Sequence, residues 1–445
     1  MKTKIGINGF GRVGRCAFKI AFERDDVEVV AINDITDTKT LAHLLKHDSN
    51  YGEYQHDVSF NDQNLIVDGQ KIRVLAEKEP AKLPWKDLNV AVVIESTGLF
   101  VDPEKARAHI EAGAKKVIIS APAKGEGAET IVLGVNEDKL ESAGEIISNA
   151  SCTTNCITPV MAVIEEAFGI EKAMMTTIHS YTASQRLLDA PAKDLREARN
   201  AATNIVPTTT GASIAAAKAM PTLEGLFGGM SIRVPTPVVS LSDFVIITKR
   251  DVTKEEVNGA FKKAADDPYY QGILAVTEEP LVSSDFIGSS YSAIVDLALT
   301  DVVGGNLLKV VAWYDNEWGY SNRLVELTAD AAKTLGGDSA EDSSEENQQP
   351  EAKKEKSEFK TADQALDETS EQPEKADEEP LLEAPETEDF LPAPEQTEAK
   401  SDIEVKEEPL AEDKPLPSNP PESKSKDEFE DPGARPSNID GFHKF

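Results

Sequence analysis

The chain has 445 residues and a formal net charge of −34, a balance that argues against nucleic acid as a primary partner. Its three cysteines cannot build a disulfide framework and fit a reducing compartment, and no apolar run approaches membrane-spanning length. The opening MKTKIGINGFGRVGR lacks the apolar stretch of a secretory leader, so the expected location is the cytoplasm, without membrane association.

The first strand is expected over Lys4 to Asn8. Gly9-Phe10-Gly11-Arg12-Val13-Gly14 follows at once, then a helical pattern through Phe22 and a second strand, Val27 to Ile32, ending in Asn33-Asp34. Asp34 stands 20 residues after Gly14, where an acidic side chain can hold an adenosine ribose. Gly9 permits the tight turn, Gly11 lets backbone approach a pyrophosphate, and Gly14 allows close helix–strand packing. This is the pattern of a dinucleotide-binding unit. A carboxylate at Asp34 repels the 2′-phosphate of NADP, so NAD is the expected cofactor.

Val90 to Ile94 is a continuous apolar run of the buried parallel type, ending in the small residues Glu95-Ser96-Thr97-Gly98. A helix over Ala106 to Ala112, closed by Gly113, leads to another strand, Lys116 to Ser120. His43 and His47 lie four apart on an expected helix, but no third ligand accompanies them, and no metal is expected.

The chain is organised around Asn149-Ala150-Ser151-Cys152-Thr153-Thr154-Asn155-Cys156. Beyond it Val160, Val163, Ile164 and Ala167 recur at helix spacing, with Pro159 expected early in the helix. Cys152 is therefore expected at or just before a helix N-terminus, where free N–H groups and the dipole favour a thiolate. A lone cysteine is often a small buried hydrophobe, but hydroxyl residues on both sides favour a reactive one. His179, in a β-rich stretch from Ala173 to Thr182, becomes a base if the fold brings it to Cys152; an imidazolium there would stabilise the thiolate. Pro207-Thr208-Thr209-Thr210-Gly211-Ala212 opens an alanine-rich helix, 212–219, whose N-terminus can hold phosphate. Arg233 interrupts the apolar strand Ser231-Ile232-Arg233-Val234-Pro235 and must meet a carboxylate or a substrate phosphate.

Together ASCTTNC, GINGFGRVGR, TIHSYT, TTGA, SIRVPT and WYDNEWGYSNR resemble the phosphorylating glyceraldehyde-3-phosphate dehydrogenases over residues 1 to about 336. The resemblance implies oxidation of glyceraldehyde 3-phosphate with NAD and inorganic phosphate through a cysteine thioacyl intermediate, in a homotetramer. It implies Cys152 as nucleophile and His179 as base. It implies Thr182 and Arg233 for the substrate phosphate, and Ser151, Thr153, Thr210 and Gly211 for the attacking phosphate. It assigns Arg12 and Val13 to the pyrophosphate turn, Asp34 to the ribose, Ser120 to the cofactor cleft, Asn316 to the nicotinamide amide and Tyr320 to its neighbourhood. Pro191 and Ile35 follow the NAD-type pattern, whereas Ala190 leans toward the NADP type. Ala183-Ser184 stands where many relatives carry Asn-Asp. An erythrose-4-phosphate dehydrogenase, or an interaction protein that retains the fold, are the rival readings.

The expected fold is α/β. A Rossmann-type doubly wound parallel sheet over 1–151 binds NAD, and a mixed α+β catalytic domain with a mainly antiparallel sheet spans 152–316. A helix, 317–336, returns to the first domain. Residues 338–445 hold 34 acidic and 12 basic side chains, a net of −22 that leaves −12 for the rest. They also hold 13 of the 25 prolines, so 337–445 is expected to be a disordered, solvated acidic tail. Leu381-Leu382, Asp389-Phe390-Leu391 and the final Gly441-Phe442-His443-Lys444-Phe445 are apolar spots in it, open to a docking or tethering role with an unknown partner.

Overall fold

A computed structural model describes residues 2–335, so the expectation of a disordered tail over 337–445 lies outside the described residues. The first sheet grows from strands too apolar to face water on either side. β1 (Thr3–Asn8) pairs in parallel with β2 (Val27–Asn33) and, on its other flank, with β4 (Val92–Glu95). β3 (Gln70–Leu75) extends the β2 side, and β5 (Lys116–Ile119) and β6 (Ile146–Ser148) extend the β4 side. Nine strands result, parallel apart from the Val58–Asn61 and Asn64–Val67 pair at one edge. Strand order reverses at β1, which opens a crevice at the carboxyl ends of β1, β2 and β4, the place where doubly wound sheets take ligands.

α1 (Arg12–Phe22) starts directly from the glycine turn and buries Ala17, Phe18 and Ala21 against this sheet. The same core receives Tyr320, Leu324, Val325 and Leu327 from α4 (Trp318–Lys333), the last described helix. The helix expected over Ala106 to Ala112 is instead two short pieces, Pro103–Ala106 and Ala108–Glu111, parted at Arg107.

α2 (Cys152–Phe168) is buried nearly all round and forms the centre of the second core. Pro159 lies eight residues into it rather than in its first turn, a correction to the sequence reading. A mid-helix proline costs about 3 kcal/mol, and the burial of thirteen side chains of α2 outweighs it. The second sheet holds β7 (Ile170–Ser180), β8 (Val206–Thr208), β9 (Phe227–Val234), β10 (Ser240–Thr248), β11 (Ala293–Asp296) and β12 (Leu307–Tyr314). β7 runs parallel to β9 and antiparallel to β10, and β10 and β11 both run antiparallel to β12. α3 (Ala212–Ala219) has the bounds read from the sequence, and its Ala215 and Ala219 pack against Ala150.

Candidate active site

The nucleophile candidate sits on a tightly determined turn. Ala150 adopts left-handed backbone, φ +54, and reverses the chain out of β6 so that Cys152 becomes the first residue of α2. Three groups over-determine that conformation. The Ala150 N–H donates to Ser148 Oγ at 3.1 Å, its carbonyl accepts from Tyr320 Oη at 3.0 Å, and Asn155 Nδ2 donates to the carbonyls of Asn149 and Ser151 at 2.8 and 3.0 Å. Ser151 caps the helix, its Oγ accepting from the Thr154 N–H at 3.0 Å. Thr153 Oγ1 lies 3.0 Å from Tyr314 Oη, which also bonds Thr177 Oγ1 at 2.8 Å. The Ser151 and Thr153 hydroxyls thus have partners within the protein.

Cys152 Sγ lies 3.5 Å from His179 Nε2 across 27 residues of sequence. His179 Nδ1 donates to the Ser180 carbonyl at 2.7 Å, so Nε2 presents its lone pair to the sulfur. Arg233 stands opposite His179 in the β7–β9 register, and its Nη1, 2.5 Å from that ring nitrogen, shares the same Ser180 carbonyl at 3.3 Å. Burial, reinforced by the Arg233 charge, pulls the imidazole down to about 3. A second positive charge on the ring is disfavoured beside the partly buried Arg233 guanidinium. Burial also pushes the Cys152 thiol up, opposed by the Arg233 charge and by the Thr153 hydroxyl and N–H. Cys152 keeps partial exposure, so water moderates that penalty. The sulfur thus faces a ring nitrogen that can take its proton, with Arg233 as the cation beside both. Cys156, one turn further along α2, is fully buried with its thiol pushed well above the ordinary range, which makes it inert.

Among the described residues Arg233 Nε has no hydrogen-bond partner, and the side chain meets no carboxylate. Thr182, just past the end of β7, is half-exposed, with Oγ1 2.9 Å from Ser184 Oγ. Thr210 Oγ1 accepts from the Ala212 N–H at 3.2 Å, and Gly211 is exposed at the start of α3.

The glycine turn divides its work as its spacing implies. Gly9 has φ +94, and a Cβ there would lie 2.7 Å from the Thr97 backbone nitrogen. A Cβ on Gly14 would lie 2.1 Å from the Gly9 carbonyl oxygen, whereas one on Gly11 meets nothing within 4 Å. The open space beside Gly11 belongs to a cleft of about 440 Å³, lined also by Gly9, Asp34, Glu77, Thr97 and Phe100. Asp34 accepts from the N–H groups of Phe10 and Thr36 at 2.8 and 2.9 Å and faces this cleft. The residues present therefore fit a dinucleotide: open backbone at a helix N-terminus for phosphates, and a fixed carboxylate for a ribose. Two carboxylates, Asp34 and Glu77, disfavour a 2′-phosphate.

Arg12, Tyr320 and Asn316 each have partners within the protein. The Arg12 guanidinium does not point free toward a pyrophosphate: it binds Glu317 through Nε at 2.9 Å and through Nη2, and Asp48 through Nη1 at 2.7 Å. Only the backbone of Arg12 and Val13 is left to the turn. Tyr320 is buried, with its hydroxyl committed to the loop before Cys152. Asn316 Oδ1 accepts from the hydroxyls of Ser180 and Ser240 at 2.9 and 3.0 Å, which leaves its amide nitrogen to donate. Val239, a β-branched residue held at φ +69, precedes Ser240 and aims it. Ser120 follows β5 at its carboxyl end, its N–H donating to the Glu95 carbonyl at 2.9 Å. Asn8, Asn33, Glu77 and Thr97 in the cleft, and Tyr314 beneath the nucleophile, were missed by sequence reasoning. The run Glu95-Ser96-Thr97-Gly98 was the one signal for any of them.

Residues 3–103 match the family described as "Glyceraldehyde 3-phosphate dehydrogenase, NAD binding domain", and residues 151–316 match "Glyceraldehyde 3-phosphate dehydrogenase, C-terminal domain". The chain is 56% identical over 330 residues to a "Glyceraldehyde-3-phosphate dehydrogenase" of Geobacillus stearothermophilus, covering 74% of this chain and 98% of that protein. It is 55% identical over 326 residues to the protein so named in Thermotoga maritima, covering 73% and 97%. It is 54% identical over 330 residues to that of Streptomyces coelicolor, covering 74% and 98%. With both halves matched and the relatives covered almost end to end, the chain belongs to the NAD-dependent glyceraldehyde 3-phosphate dehydrogenase family.

Proposed function

We propose that the chain oxidises D-glyceraldehyde 3-phosphate to 1,3-bisphosphoglycerate, with residues 1–151 holding NAD and residues 152–316 carrying the chemistry. The observation that carries the assignment of roles is the 3.5 Å approach of Cys152 Sγ to His179 Nε2, with the far ring nitrogen anchored on a carbonyl. The sulfur adds to the aldehyde carbon and the thiol proton passes through Nε2 to the new alkoxide, giving a hemithioacetal. NAD, when bound, supplies the hydride acceptor. Nε2 takes the hydroxyl proton as the carbon–oxygen double bond reforms, leaving a thioester on Cys152. Phosphate oxygen then attacks the thioester carbon, the carbon–sulfur bond breaks, and the sulfur regains a proton from Nε2.

Arg233 and Thr182 hold the phosphate of the substrate, and Thr210, Gly211 and the Ser151 and Thr153 segment receive the attacking phosphate. The Ser184 hydroxyl, where many relatives carry an acidic side chain, lies 2.9 Å from Thr182 Oγ1. Asn316 donates to the nicotinamide amide through its free nitrogen. A cytoplasmic homotetramer is the assembly this reading favours. One face of the second sheet supports self-association: Met174, Met230, Val245 and Leu307 are each 39–62% exposed there. Among the described residues no helix is long and apolar enough to cross a membrane.

The test is NADH formation from glyceraldehyde 3-phosphate, NAD and phosphate, with Cys152→Ser as control and erythrose 4-phosphate as competing substrate. An absolute phosphate requirement and preference for the triose support the proposal. Phosphate-independent turnover of the tetrose would replace it with the erythrose-4-phosphate reading, and no turnover of either aldehyde would favour an interaction protein.

A further inference from the structure

From the cleft wall inward runs a chain of buried polar groups that the chemistry above does not use. Trp85 and His109 are fully buried, and Asn8 and Glu95 are each 1% exposed. Trp85 Nε1 donates to His109 Nδ1 at 3.0 Å. An indole nitrogen can only donate, so Nδ1 is the accepting nitrogen and Nε2 carries the ring hydrogen. Nε2 then donates to Glu95 Oε2 at 3.0 Å, and Asn8 Nδ2 donates to the same oxygen at 2.5 Å. With its nitrogen committed there, Asn8 turns its oxygen to Asn33 Nδ2 at 2.7 Å, and Asn33 turns its own oxygen to the Glu77 N–H at 2.8 Å. The other Glu95 oxygen accepts from the Thr97 N–H at 2.9 Å and from the Thr97 hydroxyl.

The relay thus has a direction, set at one end by a group that cannot reverse. Its far ends are Asn8, Asn33, Glu77 and Thr97, all of which line the cleft. We propose that Trp85, His109 and Glu95 are positioning residues for the adenosine half of the cofactor, fixing which way the Asn8 and Asn33 amides face and where Thr97 and Glu77 stand. The proposal rests on reading the cleft as the cofactor site. Buried polar networks are worth most when every member is satisfied, and here every donor finds an acceptor, Asn33 Nδ2 donating also to the Glu77 carbonyl at 2.8 Å. Glutamine at 95 keeps one acceptor where glutamate has two, so its NH₂ must face either the Asn8 and His109 donors or the Thr97 N–H, and either choice disturbs a residue of the cleft wall.

The experiment is calorimetric titration of the cofactor-free protein with 5′-AMP and with NAD, for the native chain and for Glu95→Gln. The expected result is about tenfold weaker binding of both, or 1.4 kcal/mol. KM for NAD should rise while kcat at saturating NAD is kept, and alkylation of Cys152 in the absence of cofactor should be unchanged. If the native protein binds neither AMP nor NAD, the reading of the cleft fails. If it binds both and Glu95→Gln binds them equally well, the relay proposal fails. Should the variant not fold, ¹⁵N spectra of the native protein decide. His109 protonated at Nε2 and bare at Nδ1 supports the relay, and a proton on Nδ1 overturns it.

Discussion

Alanine at Gly14 and alanine at Gly11 should fail in different ways. A Cβ at position 14 stands 2.1 Å from the Gly9 carbonyl oxygen and 3.1 Å from its carbon, where carbon contacts normally begin at about 3.5 Å. That oxygen is itself held, since Ser96 Oγ donates to it at 2.7 Å. α1 must therefore retreat by roughly 1 Å or more, and Ala17, Phe18 and Ala21 lose their fit in the core as it does. Overpacking of this kind costs about 1–3 kcal/mol, and a backbone obstacle puts the cost at the upper end. The retreat also carries the N–H groups of the α1 start away from where phosphates would lie. At Gly11 the new methyl meets no atom within 4 Å and φ is an ordinary −71, so stability should be kept within about 1 kcal/mol. It occupies the cleft wall, however, and NAD affinity should fall about tenfold. Thermal unfolding and calorimetric titration with NAD separate the two. Gly14→Ala melting and binding like the native chain, or Gly11→Ala unfolding as badly as Gly14→Ala, would refute this division of roles.

His179→Asn removes the lone pair facing Sγ, and kcat should drop by about 10²–10⁴ with NAD affinity intact, measured by steady-state rates beside titration. Tyr320→Phe leaves the carbonyl of the strained Ala150 without its donor, a loss of about 1–3 kcal/mol in urea unfolding, and should alter the iodoacetamide reactivity of Cys152. His56 gives the pH dependence. The Asp68 hydrogen bond, working against burial and with the Glu23 charge, holds its imidazole above the ordinary value. A raised folded value means stability fully present below the unfolded pKa of about 6.5 and lost as pH rises through the folded value. With a quarter of the side chain exposed the step should stay under about 1 kcal/mol and shrink in salt. Denaturant midpoints from about pH 6 to about 9 should show it in the native chain and not in His56→Gln.

The glycine turn was legible because each glycine answers a local demand, a positive φ, an open wall or a close packing, that no other residue meets. Cys152 and His179 were legible as residue types in a motif, and their contact follows from β7 running beside α2. What the sequence did not carry is the company each side chain keeps. Arg12 finds Glu317 across 305 residues, so its charge is neutralised by a partner no local pattern names. Tyr320 reaches the loop before Cys152 rather than acting as a loose aromatic neighbour, because α4 returns to the first core. The electrostatics around His179 were equally out of sight, since they depend on the strand register that sets Arg233 opposite it. Pro159 was placed early in its helix because propensity alone ignores how deeply α2 is buried.

The central claim is that the aldehyde is oxidised while bonded to Cys152. Mixing the protein with glyceraldehyde 3-phosphate and NAD, with phosphate withheld, should give a rapid burst of NADH equal to the number of sites. Peptide mass spectrometry should find the acyl group on Cys152, and added phosphate should release it. NADH formed steadily without an adduct, or an adduct on any other residue, would contradict the account.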